Sequence, residues 1–128
     1  MTALSAETLT AVGRMSVAAA EVEELLDWVG GPGGGDPLAG ARAAVRGGPG
    51  DLVNAVEAAA TQLTIARSYL RRLVVDGGDP GPAAFADAAG MLTRCRGWML
   101  ALIEEHRGSV HEDDLAAGVA GVAQGVGG

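Results

Sequence analysis

Three long stretches of this chain carry apolar residues at alternating steps of three and four, and each gives way to glycine or proline. That spacing keeps one side of a 3.6-residue helix apolar and is out of phase with the two-residue period of a strand, so it predicts an all-α fold. The first stripe is Leu9, Val12, Met15, Ala19, Val22, Leu26 and Val29. It predicts a helix over 6–29, with Ser5 as N-cap and Glu7 in the first turn, stopped by Gly30-Gly31-Pro32. Asp36-Pro37 opens a short second segment, 37–46, whose buried edge would be Leu38, Ala41 and Val45 and whose length suits a lid. Gly47-Gly48-Pro49-Gly50 ends it, and Asp51 can cap the next helix.

A third segment, 52–75, places Val53, Val56, Ala60, Leu63, Ala66, Leu70 and Leu73 on one face and would be about 36 Å long. Asp76 to Gly81 break it, and Pro82 opens the fourth. The fourth stripe is the most regular: Phe85, Ala88, Leu92, Cys95, Met99, Leu102 and His106 repeat without a slip, as in a bundle seam. The expected architecture is a small antiparallel helical bundle over 1–108, built from three long helices and one short one. Residues 109–128 form a glycine-rich tail. Its Ser109-Val110-His111-Glu112 start fits a capping box, and Leu115, Val119, Val122 and Val126 keep helical spacing. Gly118, Gly121 and Gly125 weaken that helix by roughly 3 kcal/mol, so the tail reads as a marginal C-terminal helix that orders only against a groove.

A length of 128 residues suits one core. Hydrophobic residues make up 48% of the chain, yet the only aromatics are Trp28, Trp98, Tyr69 and Phe85, so the core must be thin and closely packed. All nine basic residues are arginine, a usage that matches the codon bias of a GC-rich genome and carries little functional weight by itself. The formal charge of −7 disfavours broad binding to nucleic-acid phosphates or anionic membranes. The first residues lack a basic region followed by an apolar run, and no stretch approaches membrane-spanning length, so a cytoplasmic location is expected. Cys95 is the sole cysteine, which rules out an internal disulfide and any zinc site built on paired cysteines of one chain.

Four groups of residues are candidates for function. Glu21, Glu23, Glu24 and Asp27 crowd the second half of the first helix, as a solvated face or a contact for arginines. Arg67, Arg71 and Arg72 form the one cationic cluster; they can stabilise a helix end, pair with those acids, or grip an anion or a partner. Gly90 and Gly97 lie seven apart inside the fourth helix, each unfavourable there by about 1 kcal/mol. With Leu92 and Met99 they suggest a surface for close helix–helix packing, within the chain or with a second copy. His106 and His111 have no second histidine at ligand spacing, no Glu-x-x-His occurs, and His106 reads as a helix-end group facing terminal carbonyls. No metal site and no cofactor is expected. Cys95 reads as core packing, and the Gly30–Gly35 run, lacking the Gly-Lys-Ser/Thr ending of a phosphate cradle, reads as a linker.

Arg71-Arg72-Leu73-Val74-Val75-Asp76-Gly77, coming after two long helices, resembles the Arg-Asn-x-x-Val-His-Gly variant of the motif in the HEPN superfamily of helical-bundle proteins. The run Val12 to Glu21 also resembles first helices of such bundles. The resemblance implies a dimer and, in active members, RNA cleavage by the motif arginine and histidine. On that reading Arg71 stands at the arginine position, while Arg72 replaces the asparagine and Asp76 the histidine. An aspartate is an anion at neutral pH, a poor proton donor, and repels RNA phosphate. The resemblance therefore speaks more for a bundle and a dimer than for a nuclease.

No catalytic constellation is complete, and the leading expectation is a non-catalytic interaction module, an accessory or regulatory subunit that forms a homodimer and engages another protein. The alternatives are a divergent ribonuclease or RNA binder using Arg71 and Asp76, and a small-ligand-binding bundle with Trp28 or Trp98 in its pocket.

Overall fold

The computed structural model describes residues 4–33 and 35–107; the tail from 108 onwards, with its expected helix, lies outside the described residues. Among the described residues four helices succeed one another: α1 (Ala6–Gly30), α2 (Pro37–Val45), α3 (Gly50–Val74) and α4 (Pro82–Glu105). The fold is all-α, as the periodicity requires. The three long helices run up, down and up. Ala6 and Glu7 of α1 lie beside Pro82 and Ala83 of α4, and Glu21 lies beside Arg96, so α1 and α4 share a direction. Antiparallel α3 brings Asp51 at its start to His106 past the end of α4, and Tyr69 near its end to Phe85.

α4 is the central element and packs on both α1 and α3, which touch each other less. Its expected seam is its buried face, from Phe85 through Ala88, Leu92, Cys95 and Met99 to Leu102. Phe85, Leu92 and Met99 have no exposed surface. Tyr69 meets the edge of Phe85 at a ring separation of 6.0 Å and an interplanar angle of 77°, closing one end of the core.

On α1 the buried line differs from the apolar stripe. Thr8, Ala11, Met15, Ala18, Val22, Leu25, Leu26 and Val29 face the core, while Leu9 is 55% exposed and Val12 and Ala19 are only half-buried. The small side chains of Ala11 and Ala18 face the neighbouring helices, and the contact face shares Met15, Val22, Leu26 and Val29 with the apolar stripe but is turned by about half a residue step from its centre. Thr8 can be buried because its polar groups are satisfied. The Ser5 hydroxyl donates to Thr8 Oγ1 at 2.9 Å and accepts the Thr8 N–H at 3.0 Å, confirming Ser5 as the cap.

α3 starts two residues earlier than its stripe implies, with Pro49 at the N-cap position and Asp51 in the first turn, where it accepts the Leu52 N–H at 2.8 Å. Leu52, Ala55, Val56, Ala59, Ala60, Leu63 and Ala66 are buried; Val53 in the first turn is half-buried, and so are Leu70 and Leu73, where the last turns of α3 leave the core. Asp36 makes no side-chain cap bond to α2.

The short helix α2 packs on α1 and α3 through Ala41 and Val45. Its approach to α1 is backbone on backbone: a Cβ at Gly30 would lie 2.9 Å from the Gly40 carbonyl carbon. On the outer side Arg42 donates from Nε and Nη2 to the two carboxylate oxygens of Glu57, both at 2.8 Å, tying α2 to α3.

Candidate functional site

Because α1 and α4 run side by side with small residues along their shared outer edge, a shallow groove runs along them. Two open basins of about 560 and 510 Å³ adjoin in it and share Thr10 and Arg14. The upper basin is lined by Gly13, Val17 and Glu21 of α1 and by Ala89, Gly90 and Thr93 of α4. Val17 is 60% exposed. Leu100, 40% exposed, lies two turns beyond Thr93 on the same helical face.

Gly90 and Gly97 are both exposed, and a Cβ at either would meet nothing within 4 Å; the same holds for Gly13. No contact within the described fold explains these three glycines. Leu92 and Met99, grouped with Gly90 and Gly97 in the expected packing surface, instead point the opposite way into the core. The four residues therefore divide between two faces of α4: two hold the bundle together and two look outward.

The acidic group is also divided. Glu21 lies 3.6 Å from Arg96 of α4, and Glu23 lies 3.2 Å from Arg67 of α3. Glu24 and Asp27 are exposed with no ion pair among the described residues. These pairs are solvent-exposed and orient helices more than they stabilise them. Of the cationic cluster, Arg67 alone is paired with an acid among the described residues. Arg71 and Arg72 are exposed on the last turn of α3, where their backbone carbonyls accept the N–H groups of Val75 and Gly78. Asp76 is exposed just past the helix, and no hydrogen bond or ion pair among the described residues joins it to Arg71. Trp28 and Trp98 are surface residues, 50% and 42% exposed.

His106 departs from expectation. Its ring turns to the start of α3 and not to the α4 carbonyls: Nε2 lies 3.2 Å from both Oδ1 and Oδ2 of Asp51. The hydrogen bond with His106 holds the Asp51 carboxyl below the usual carboxylate range. Glu105 joins them, so that one ligand atom from each of Asp51, Glu105 and His106 lies within 4.8 Å of the others. Cys95 is buried in the core, and burial pushes its thiol up, away from the reactive thiolate.

No family model matches this chain, and neither does any curated protein or solved structure. Among the described residues no helix is long and apolar enough to cross a membrane.

Proposed function

We propose that this chain is a non-catalytic interaction module that pairs with a second copy of itself through the α1/α4 groove. The observation that carries the reading is the outward row of Gly13, Gly90 and Gly97 beside the exposed Val17 and Leu100. A glycine inside a helix is unfavourable by about 1 kcal/mol relative to alanine, and here the described residues offer no packing return. A helix laid in the groove would supply one, since missing side chains let backbones approach closely while the flanking apolar groups leave water. The face is self-complementary in kind, as a two-fold dimer demands: each copy offers both the small-residue floor and the apolar wall. A bound pair would serve as an accessory or regulatory subunit.

Sedimentation velocity over a concentration series tests this. The wild type is expected to pass from one chain to two as concentration rises, and Gly97→Leu, which adds a bulky side chain two turns beyond Gly90 on the same outward face, is expected to remain a single chain. A wild type that stays monomeric at high micromolar concentration refutes the pairing, as does a Gly97→Leu variant that associates unchanged. RNA cleavage by the purified chain that disappears with Arg71→Ala would overturn the non-catalytic reading itself.

A further inference from the structure

At the end of the bundle opposite the Tyr69–Phe85 contact, three side chains from distant parts of the sequence converge. Asp51 comes from the first turn of α3, Glu105 is the last residue of α4, and His106 caps α4. Neighbouring residues on a continuing helix diverge by about 100° and do not share a target. Here His106 has left the helix, with φ −106° and ψ 33°, and both it and Glu105 reach Asp51. Sequence spacing holds no trace of the arrangement, because Asp51 stands more than fifty residues before the other two.

An ion pair alone does not account for the cluster. One carboxylate satisfies one imidazole ring nitrogen, and Asp51 already places both oxygens 3.2 Å from Nε2. Glu105 adds a second carboxylate to the same point, and it has no salt bridge among the described residues; the nearby Arg107 pairs with Glu104 instead, at 3.5 Å. The last carbonyls of α4 add the negative end of its helix dipole. Two carboxylates, an imidazole and the C-terminus of α4 therefore meet at the N-terminus of α3, whose positive end faces Asp51, and among the described residues no arginine pairs with Glu105.

We infer that Asp51, Glu105 and His106 form a binding site for a divalent transition-metal ion of the zinc class. One imidazole nitrogen with two carboxylate oxygens is a donor set for Zn²⁺, Mn²⁺ or Fe²⁺, whereas Mg²⁺ and Ca²⁺ take oxygen alone and Cu⁺ favours sulfur. Ligands about 2.0–2.2 Å from one ion stand about 3–3.5 Å apart, so the observed spread within 4.8 Å closes by small rotations of the exposed Asp51 and Glu105 side chains toward the half-buried His106. The ion replaces the proton that otherwise joins His106 to Asp51, and water fills its remaining positions on the open side. By joining the start of α3 to the end of α4, it staples the bundle at that end.

The experiment is a titration of the full chain, without an affinity tag, with Zn²⁺ by calorimetry and with Co²⁺ by visible absorption. One ion per chain is expected. His106→Ala and Asp51→Asn are each expected to weaken binding at least tenfold, and Glu105→Gln severalfold. Glu104→Gln and His111→Ala, which alter the neighbouring acid and the other histidine, are expected to leave the affinity unchanged. As a second readout, Mn²⁺ added to the wild type should broaden the amide resonances of residues 51, 105 and 106 before those of any other acidic stretch. Absence of binding overturns the inference. So does binding that survives His106→Ala, binding that is lost with His111→Ala, or broadening centred elsewhere. None of these outcomes bears on the α1/α4 groove, which lies on another face.

Discussion

Replacing Gly90 and Gly97 together by alanine is expected to strengthen the isolated fold while weakening its association. Both positions are helical and exposed, and neither methyl would meet an atom within 4 Å, so in the single chain the substitution changes only the backbone preference. Each replacement then contributes roughly 0.8–1 kcal/mol of stability. Two sites without shared partners add, giving about 1.6–2 kcal/mol for the pair. At roughly 3–5 °C per kcal/mol for a domain of this size, the midpoint of thermal unfolding should rise by about 5–10 °C. Circular-dichroism melts at low micromolar concentration measure that gain. Repeating them at increasing concentration measures association, since a partner that binds only the folded state raises the midpoint by mass action. The wild type is expected to gain with concentration and the double variant to gain less, so that the two curves converge. A double variant less stable than the wild type at every concentration would refute the reasoning, for it would mean that something already packs against these glycines within the chain. A constant advantage at all concentrations, with wild-type association, would remove the groove as the contact.

Phe85→Ala is expected to lower stability by about 3–5 kcal/mol, because it empties a fully buried position and removes the partner of Tyr69; chemical denaturation measures it. Gly30→Ala should destabilise by about 1–3 kcal/mol, as its Cβ would stand 2.9 Å from the Gly40 backbone, while Gly40→Ala, a helical position of α2 with its nearest neighbour at 3.6 Å, should stabilise by up to about 1 kcal/mol in the same melts. The Arg42 hydrogen bonds hold the Glu57 carboxyl below its ordinary range, so the stability it adds is fully present above the unfolded carboxylate pKa and is lost as pH falls through the lower folded value. Acid unfolding below about pH 4 should therefore be shallower in Glu57→Gln, and an unchanged acid limb would refute that assignment. Cys95 should react with a thiol reagent far more slowly in the native protein than in denaturant, and equal rates would contradict its burial.

Periodicity and punctuation carried most of this fold. The α4 seam from Phe85 to Leu102 is legible because the partners on both sides lie along one face, and a step of three and four identifies that face without knowledge of the partners. The helix ends at Gly30, Pro37 and Pro82 are legible because proline and glycine act through local dihedral preference. The α1 stripe is a poorer guide. It ranks positions by apolar size and places Leu9 inward, whereas the buried face tracks the neighbours that approach, and Ala11 and Ala18 permit the closer contact.

The composition and the hydrophobic period of this chain by themselves determined that it is helical, how many long helices it has and where they stop, because those properties depend on residues within a few turns of one another. Only the tertiary structure decided which neighbours the side chains have. It sent Leu92 and Met99 inward and Gly90 and Gly97 outward, split the acidic residues between Arg67 and Arg96, and brought Asp51 to His106. The physical reason is that local periodicity fixes the angle of a side chain about its own helix, whereas the object it meets is set by the direction and offset of other helices. Direction and offset come from packing the whole core at once.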